Sequence, residues 1–227
     1  MSIAVNAQYN TAAPGSLAQR LATRARNDMF ATFMAELKPQ PAETMLDIGV
    51  TSDQTYESSN YFEALYPVKA AITAAGIDDA SFLETQYPGV RFVDANILSL
   101  PFADGSFDCV HSAAVWEHVG SRANQAQALA EVLRVARRGV FLTTPNRWFP
   151  IELHTRVPLA HWLPAHIYRP LYRAVGLDFF AEESNLNLLS GGDVRALSSV
   201  HPHWRFRLRH ASVMGWPSNI ILIGEKG

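Results

Sequence analysis

Met45–Gly49 (MLDIG) is a short apolar run that ends in an acidic residue and a glycine, a pattern typical of a buried parallel strand that leads into a turn. Further short apolar runs follow along the chain and alternate with helical stretches: Ala70–Asp78, Val90–Val93, Phe107–Ser112 and Val140–Thr144. Strands that alternate with helices indicate βαβ units and a parallel sheet. The sequence therefore predicts an α/β fold.

A long amphipathic helix is predicted before the first strand. Ser16 is a favourable N-cap, and Gln19 lies three residues further on, which is the spacing of a capping box. One apolar stripe follows at four-residue intervals and consists of Leu17, Leu21, Ala25, Met29, Phe33 and Leu37. Pro39 and Pro41 then end the helix.

A second long helix is predicted between the fourth and fifth strands. It begins near Ser121 and places Leu129, Val132 and Leu133 on one face. We expect it to close with Arg137 and Arg138, whose charges suit the negative end of a helix dipole, before a left-handed cap at Gly139.

The pattern changes after the fifth strand. Residues 145–200 are rich in Pro, Trp, His and Tyr, and they predict an insertion that covers the sheet as a substrate lid. Arg205–Arg209 alternates as a half-exposed strand and Asn219–Ile223 reads as a buried one, so a final hairpin is expected. We therefore expect one domain with four parts: an arm and helix (1–40), a core (41–144), the insertion (145–200) and the hairpin (201–227).

The composition bounds the function. The 227 residues are 48% apolar and carry a formal net charge of −2, which argues against a dedicated nucleic-acid binder. The single cysteine, Cys109, excludes an intramolecular disulfide framework and a multi-thiolate zinc site. Neither a signal-peptide pattern nor an apolar run of the ~20 residues that a membrane helix requires is visible, so we expect a cytoplasmic protein with a small-molecule partner.

Candidate binding residues follow the ends of the predicted strands, because ligands of open α/β sheets bind outside the carboxyl ends of the strands. These residues are Asp47, Gly49, Asp78, Asn96, Ile97 and Ser112. An acid at the end of the second strand, Asp78, is placed to bind two ribose hydroxyls. Asn96 and the backbone N–H of Ile97 are placed to read an adenine edge.

These segments resemble the class I S-adenosylmethionine-dependent methyltransferases of the type 11 group. The similarity runs through Leu46–Gly49, Gly76–Asp78, Asn96–Asp108 with its LPF…FD pattern, and Val115–Val119 (VWEHV). The resemblance implies a Rossmann-like, doubly wound sheet of seven strands with the last antiparallel, S-adenosylmethionine as cofactor, and methyl transfer from its sulfonium. It also implies that Tyr9 of the N-terminal arm closes over the cofactor.

The sequence departs from the family pattern in the first loop. Gly49 is followed by Val50-Thr51-Ser52-Asp53, so a single glycine of the usual Gly-x-Gly-x-Gly remains. Glycine there permits positive φ and a close backbone approach to the ligand. Hydroxyls such as that of Thr51 are expected to act as substitute partners, and the missing Gly-x-Gly-x-x-G argues against NAD.

His118 and His154 are the candidate general bases, for transfer to an oxygen or nitrogen of a natural product, a sugar or a lipid precursor. A structural role for His118 in the turn after the fourth strand is the alternative. No metal is expected, because the sequence shows no tight His/Asp/Glu spacing and no Glu-x-x-His pattern. The aromatic insertion is read as the wall of a substrate pocket, with peripheral membrane contact as the lesser interpretation.

Two other functions remain open at this point. The degenerate glycine loop suits a methyltransferase-like protein without methyl transfer, which would act as a binding or scaffold subunit or catalyse other chemistry. A different nucleotide-using enzyme on a doubly wound sheet is the second alternative, although no phosphate-binding Gly-Lys-Ser/Thr motif supports it. The oligomeric state does not follow from the sequence.

Overall fold

The computed structural model describes residues 15–54, 58–152 and 154–227. One sheet of seven strands organises them: β1 (Met45–Ile48), β2 (Ile72–Gly76), β3 (Arg91–Asp94), β4 (Phe107–Ala113), β5 (Ala136–Pro145), β6 (Trp204–Val213) and β7 (Trp216–Lys226). The order across the sheet is β3-β2-β1-β4-β5-β7-β6. β7 runs opposite in direction to the other six strands, so the predicted seven-stranded, Rossmann-like sheet with an antiparallel last strand is confirmed.

Helices cover both faces of this sheet. They are α1 (Leu17–Leu37), α2 (Tyr61–Leu65), α3 (Phe82–Gln86), α4 (Arg122–Val135), α5 (Ala165–Ala174), α6 (Asp178–Ala181) and α7 (Gly191–Ser198). One core cluster lies between the sheet and α4 with α7, and a second lies between the sheet and α1 with α2 and α3. The sheet is therefore doubly wound, and its strands are buried from both sides.

Helix α1 follows its sequence signals closely. The Ser16 hydroxyl accepts from the N–H of Gln19, and Lys38 adopts a left-handed conformation that closes the helix. Ala25, Met29, Phe33 and Leu37 are buried, whereas Leu17 at the start of the predicted stripe is 70% exposed. The stripe therefore packs on the sheet over its last four turns only.

Helix α4 ends earlier than the sequence predicts. Ser121 caps its start as expected, but the helix closes at Val135, so the prediction that Arg137 and Arg138 form its last turn is wrong. Both arginines belong to β5, where Arg138 binds Glu43 with two contacts of 2.7 Å and Arg137 binds Asp108 at 2.6 Å. These ion pairs and the sheet hydrogen bonds of β5 outweigh the helix signal.

Residues 146–203 lie between β5 and β6 and hold a small cluster of their own. Tyr168, Tyr172 and Ala181 form its buried centre, with α5 packed against α6. The chain then returns in the β6–β7 hairpin, whose turn residues Met214 and Gly215 both have positive φ. The predicted insertion and the predicted hairpin are both present.

Candidate active site

The carboxyl ends of β1, β2 and β4 meet at one edge of the sheet. In the sheet register Ile48 lies between Ala75 of β2 and Ser112 of β4. The N–H of Gly49 donates to the carbonyl of Ala75 at 2.7 Å, and the Ser112 hydroxyl donates to the carbonyl of Ile48 at 3.0 Å. The first turn is therefore fixed to both neighbouring strands at the position where ligands bind to such sheets.

Gly49 meets the requirement for glycine that the sequence predicts. Its φ is +99°, and a Cβ atom placed on it would lie 2.0 Å from Cγ2 of Val115. Val115 belongs to the segment after β4, so the two loops that flank the ligand-binding edge are in close contact at this residue. A Cβ atom on residue 49 therefore does not fit unless the Val115 side chain is displaced.

The loop after Gly49 is held by its own side chains. Asn60 accepts from the N–H of Thr51 at 2.9 Å and donates to the carbonyl of Thr51 at 3.0 Å. The Thr51 hydroxyl accepts from the N–H of Asp53, and the Asp53 carboxylate accepts from the hydroxyl of Ser59. Thr51 and Asp53 are buried, so polar side chains stabilise the loop in place of the missing glycines.

A buried polar network lies directly behind this edge. Nδ1 of His111 is 2.5 Å from the carboxylate of Asp47, and its Nε2 is 2.9 Å from the hydroxyl of Tyr61. Glu63 is fully buried beside Asp47. Since Asp47 accepts from Nδ1–H, Nε2 accepts from the Tyr61 hydroxyl and the imidazole is neutral.

The protonation states of this network follow from burial. Burial raises the pKa of Asp47 to about 7 and lowers that of His111 to about 3. Burial and the neighbouring charge of Asp47 together raise the pKa of Glu63 well above its ordinary value. The two carboxyl groups therefore retain a proton at neutral pH, because two adjacent buried charges of one sign are too costly.

The predicted nucleoside-binding residues lie at the ends of β2, β3 and β4. Asp78 is half-buried just beyond β2, and Asn96 is exposed just beyond β3. The side-chain oxygen Oδ1 of Asn96 accepts from the N–H of Leu98, and this hydrogen bond orders the turn. The side chain of Ile97 is buried in the core. Tyr9 lies outside the described residues.

The fold brings together the two predicted catalytic histidines. His118 ends a short 3₁₀ turn (Trp116–His118) after β4, and His154 lies in the insertion, yet their Nε2 atoms are 3.2 Å apart. Nδ1 of His118 contacts the carbonyl of Asn185 at 2.7 Å, and Nδ1 of His154 contacts the carboxylate of Glu152 at 2.7 Å. Each ring is thus held in one orientation by a partner on its far side.

Acidic side chains complete this cluster. Glu117 is fully buried, and one of its oxygens accepts from the hydroxyl of Thr144 at 2.9 Å. Burial opposes ionisation of Glu152, but hydrogen bonds from His154 and from the backbone N–H groups of His154 and Thr155 lower its pKa to about 2. Burial lowers the pKa of His118, whereas the contact with Glu152 outweighs burial and raises the pKa of His154.

Comparison with known proteins finds a family that part of this chain resembles. Residues 46–144 match the family model described as a methyltransferase domain. The match spans less than half of the 227 residues, and over that part the chain is similar to a methyltransferase domain. S-adenosylmethionine is the cofactor of this family, as the motifs predict.

Solved structures share the fold of this chain at low sequence identity. Magnesium protoporphyrin IX methyltransferase of Synechocystis PCC 6803, solved with S-adenosylhomocysteine bound, matches with a TM-score of 0.60 at 14% identity, over 96% of this chain and 90% of that one. A methyltransferase of Thermotoga maritima, described as a possible histamine N-methyltransferase, matches with a TM-score of 0.56 at 15% identity, over 93% and 92%. At these identities the likeness concerns the fold.

A curated relative matches over a shorter stretch. An uncharacterized 37.1 kDa protein in a transposon of Streptomyces fradiae is 32% identical over 130 residues. The match covers 54% of this chain and 35% of that protein. This chain therefore spans about a third of the relative that it resembles.

Several residues of the buried network and of the histidine cluster escape sequence reasoning. Tyr61 and Glu63 lie in α2, whereas His111 lies in β4, and no spacing along the chain connects the helix to this strand. Glu117 and Glu152 are different, because each lies within two residues of a histidine that the sequence singles out. Those neighbours were a usable signal for the cluster.

The insertion presents apolar side chains to its surroundings. Trp148, Ile151, Leu159, Leu163, Ile167 and Leu171 are all at least 40% exposed. Among the residues that the structure describes, no helix combines the length and hydropathy that crossing a bilayer demands. The predictions of a pocket wall and of a membrane contact both stay open for this surface.

The Asp47–Glu63 pair predicts an unusual dependence of stability on pH. Its carboxyl groups hold a proton in the folded state that the unfolded chain has released, so rising pH lowers the unfolding free energy, by up to about 1.4 kcal/mol per pH unit for each proton. Below about pH 6.5 the neutral His111 opposes this trend, since the unfolded histidine binds a proton that the folded one does not. The loss therefore emerges above pH 6.5.

The Glu63→Gln variant tests this expectation. Glutamine retains the shape but has no proton to lose, so the decline above pH 6.5 should become shallower than in the original protein. Urea denaturation at several pH values measures both slopes. Lys69 interacts with Glu63, Arg26 interacts with the neighbouring Tyr61, and both are the same in the two proteins. Equal slopes in the two proteins would contradict the assignment of the buried proton.

Proposed function

We propose that this protein transfers a methyl group from S-adenosylmethionine to an oxygen or nitrogen atom of a small molecule. The observation that carries the proposal is the meeting of Asp47, Gly49 and Asp78 at neighbouring strand ends, in the sheet order of the methyltransferase fold. A sulfonium methyl group is already activated, so alignment and exclusion of water supply most of what the reaction needs, about 7–11 kcal/mol.

The cofactor is assigned to the ends of β1 to β4. Asp78 would bind the ribose hydroxyls, and Asn96 with the N–H of Ile97 would contact adenine. Gly49 and Thr51 would border the methionine part, with Asp47 and Ser112 supporting the edge of the sheet from behind, and Tyr9 would cover the cofactor. The proposal draws support from the positions of these residues at one edge, apart from Tyr9, which lies outside the described part.

The acceptor side is assigned to the histidine pair. His118 follows β4 directly, so it lies on the same edge of the sheet as the proposed cofactor residues. A side chain that accepts a proton from an acceptor hydroxyl contributes about 10²–10⁴-fold to such a reaction. The Nε2 atoms of His118 and His154 face each other, so either one is placed to accept that proton.

The loop after β1 favours one competing function. Thr51 and Asp53 stand at positions that are glycines in the family pattern, and together with Asn60 they hold this loop by side-chain hydrogen bonds. A methyltransferase-like subunit that binds without transferring a methyl group would tolerate this arrangement. Cofactor binding separates the two functions.

The Asp78→Asn variant tests the cofactor assignment. Loss of the carboxylate weakens two hydrogen bonds to ribose, so affinity for S-adenosylhomocysteine should fall about 10- to 100-fold, since hydrogen bonds to charged groups contribute about 1.5–3 kcal/mol each. Isothermal titration calorimetry on the full chain measures the change. Asp79→Asn is the matched control, because Asp79 is exposed next in sequence and accepts from the N–H of Ser81.

Three outcomes are distinguishable in this experiment. Selective loss in the Asp78 variant supports the proposed function. Equal loss in both variants, or in neither, rejects the role of Asp78. If the folded protein binds neither S-adenosylmethionine nor S-adenosylhomocysteine, methyl transfer is rejected and the methyltransferase-like subunit without methyl transfer is favoured.

A further inference from the structure

Three metal-ligating side chains converge at the junction of the sheet and the insertion. Glu117 and His118 come from the turn after β4, and His154 comes from the insertion 36 residues further on. One ligand atom from each residue lies within 4.8 Å of the other two. The two Nε2 atoms are 3.2 Å apart, and Nε2 of His118 is 3.8 Å from a carboxylate oxygen of Glu117.

The hydrogen bonds fix where the protons of the two rings are. The Asn185 carbonyl can only accept, so Nδ1 of His118 carries hydrogen. Glu152 accepts from two backbone N–H groups, so it is an ionised carboxylate, and Nδ1 of His154 carries hydrogen as well. In their neutral forms the two rings therefore direct their Nε2 lone pairs at each other. Two lone pairs repel at this distance, so a cation between the nitrogens is required to make the contact favourable.

Glu117 distinguishes a metal ion from a shared proton. Its oxygen Oε1 is buried and has no hydrogen-bond partner within residues 15–54, 58–152 and 154–227. A proton between the two histidines would leave this oxygen unsatisfied, because 3.8 Å is too long for a hydrogen bond. A metal ion would satisfy the oxygen and both nitrogens together.

The dimensions and charges also suit a metal ion. Zinc binds histidine nitrogen and carboxylate oxygen at about 2.0–2.2 Å, which places tetrahedral ligand atoms about 3.4 Å apart. The two separations from Nε2 of His118, 3.2 Å to His154 and 3.8 Å to Glu117, lie close to this value. Glu117 and Glu152 supply two negative charges to balance a divalent ion. The Glu152–His154 contact is the carboxylate–histidine arrangement that orients a metal ligand from behind.

We propose that Glu117, His118 and His154 bind a divalent transition-metal ion of the zinc type. Two imidazoles and one carboxylate form a set that leaves a fourth position open, as in catalytic rather than structural sites. A water or hydroxyl group bound at that position would lose its proton more readily. Metal binding does not depend on the proposed methyl transfer. With the ion bound, both Nε2 atoms are ligands, so the assignment of His118 or His154 as proton acceptor applies to the metal-free protein. That the ion holds the acceptor hydroxyl is a separate step, and it rests on the proposed function.

Spacing along the chain conceals this site. Glu117 and His118 are adjacent and His154 is distant, so none of the short patterns that identify zinc sites in sequences is present. The sequence accordingly predicts no metal. The site exists only once the insertion has folded against the turn after β4.

Cobalt and zinc titrations of the full chain test the proposal. After treatment with a chelator, the protein should bind one Co²⁺ with the visible absorption of a tetrahedral nitrogen–oxygen site, and Zn²⁺ should displace it. His154→Ala and the isosteric Glu117→Gln should each remove this absorption or weaken binding at least 10-fold. Glu152→Gln should weaken binding about 10- to 100-fold, as loss of an orienting partner does.

Matched controls make the result decisive. His166→Ala removes an exposed histidine of the same insertion and should bind Co²⁺ as the original protein does. Circular dichroism verifies that each variant is folded. Glu117→Gln keeps an oxygen that accepts from the Thr144 hydroxyl, so it tests the site even if His154→Ala does not fold. Absence of 1:1 binding in the folded original protein overturns the proposal, and so does unchanged binding in folded Glu117→Gln. Neither outcome bears on binding of S-adenosylhomocysteine, so the proposed function is tested separately.

Discussion

Replacing Phe33 with alanine is expected to lower the free energy of unfolding by about 3–5 kcal/mol, the range for deleting a buried aromatic ring. Phe33 of α1 is fully buried, and its ring lies 5.1 Å from that of Phe62, 5.8 Å from His111 and 5.6 Å from Phe141, measured between centroids. It therefore joins α1 to α2 and to two central strands. Removing it leaves a cavity beside the buried histidine.

Urea denaturation of Phe33→Ala measures this loss. The Leu17→Ala variant is the control on the same helix, because Leu17 is 70% exposed and its removal should change stability by no more than about 0.5 kcal/mol. The dependence on urea concentration should be equal in the two variants if both unfold in one step. A loss below 1.5 kcal/mol for Phe33→Ala would show that α1 is not anchored on the sheet as described.

Alanine at Gly49 is expected to lower the unfolding free energy by about 2–5 kcal/mol. Positive φ costs a residue with a Cβ atom about 1–2 kcal/mol. Overpacking against Val115 adds about 1–3 kcal/mol, because the new Cβ atom would lie 2.0 Å from a branched and rotationally stiff side chain. The same change should weaken cofactor binding, since Gly49 is at the proposed methionine end.

A double-mutant cycle separates the two causes. Val115→Ala creates room for the Cβ atom but leaves φ unchanged, so the double variant should recover the overpacking part, about 1–3 kcal/mol. Thermal or urea unfolding of the four proteins gives the coupling energy. Strictly additive losses would mean that Val115 and residue 49 are not in contact. The close approach of the two loops at this position would then be wrong.

The sequence specifies the fold well where local signals and burial agree. The apolar run that ends in Asp47 forms β1, and the caps at Ser16 and Ser121 begin α1 and α4 as predicted. The prediction is wrong at Arg137 and Arg138, where a helix-ending pattern is overridden by ion pairs with Asp108 and Glu43. Those acids lie far along the chain, so no local pattern contains the information.

The candidate site follows the same rule. The positions of Asp47, Asp78 and His118 could be predicted because they follow strand ends, which topology places together. The partners of His111 and the meeting of His118 with His154 could not, because they depend on how α2 and the insertion pack in three dimensions. The role of Tyr9 remains a prediction.

The place of β7 in the sheet constrains how the molecule is assembled. β6 is made first, yet it pairs only with β7, which inserts between it and β5. Until the later segment docks, the earlier one has no neighbour, and β5 presents an open edge to other chains. Ordering of this half of the sheet therefore has to wait for synthesis of residues 216–226, and a chain truncated before them would be prone to aggregation.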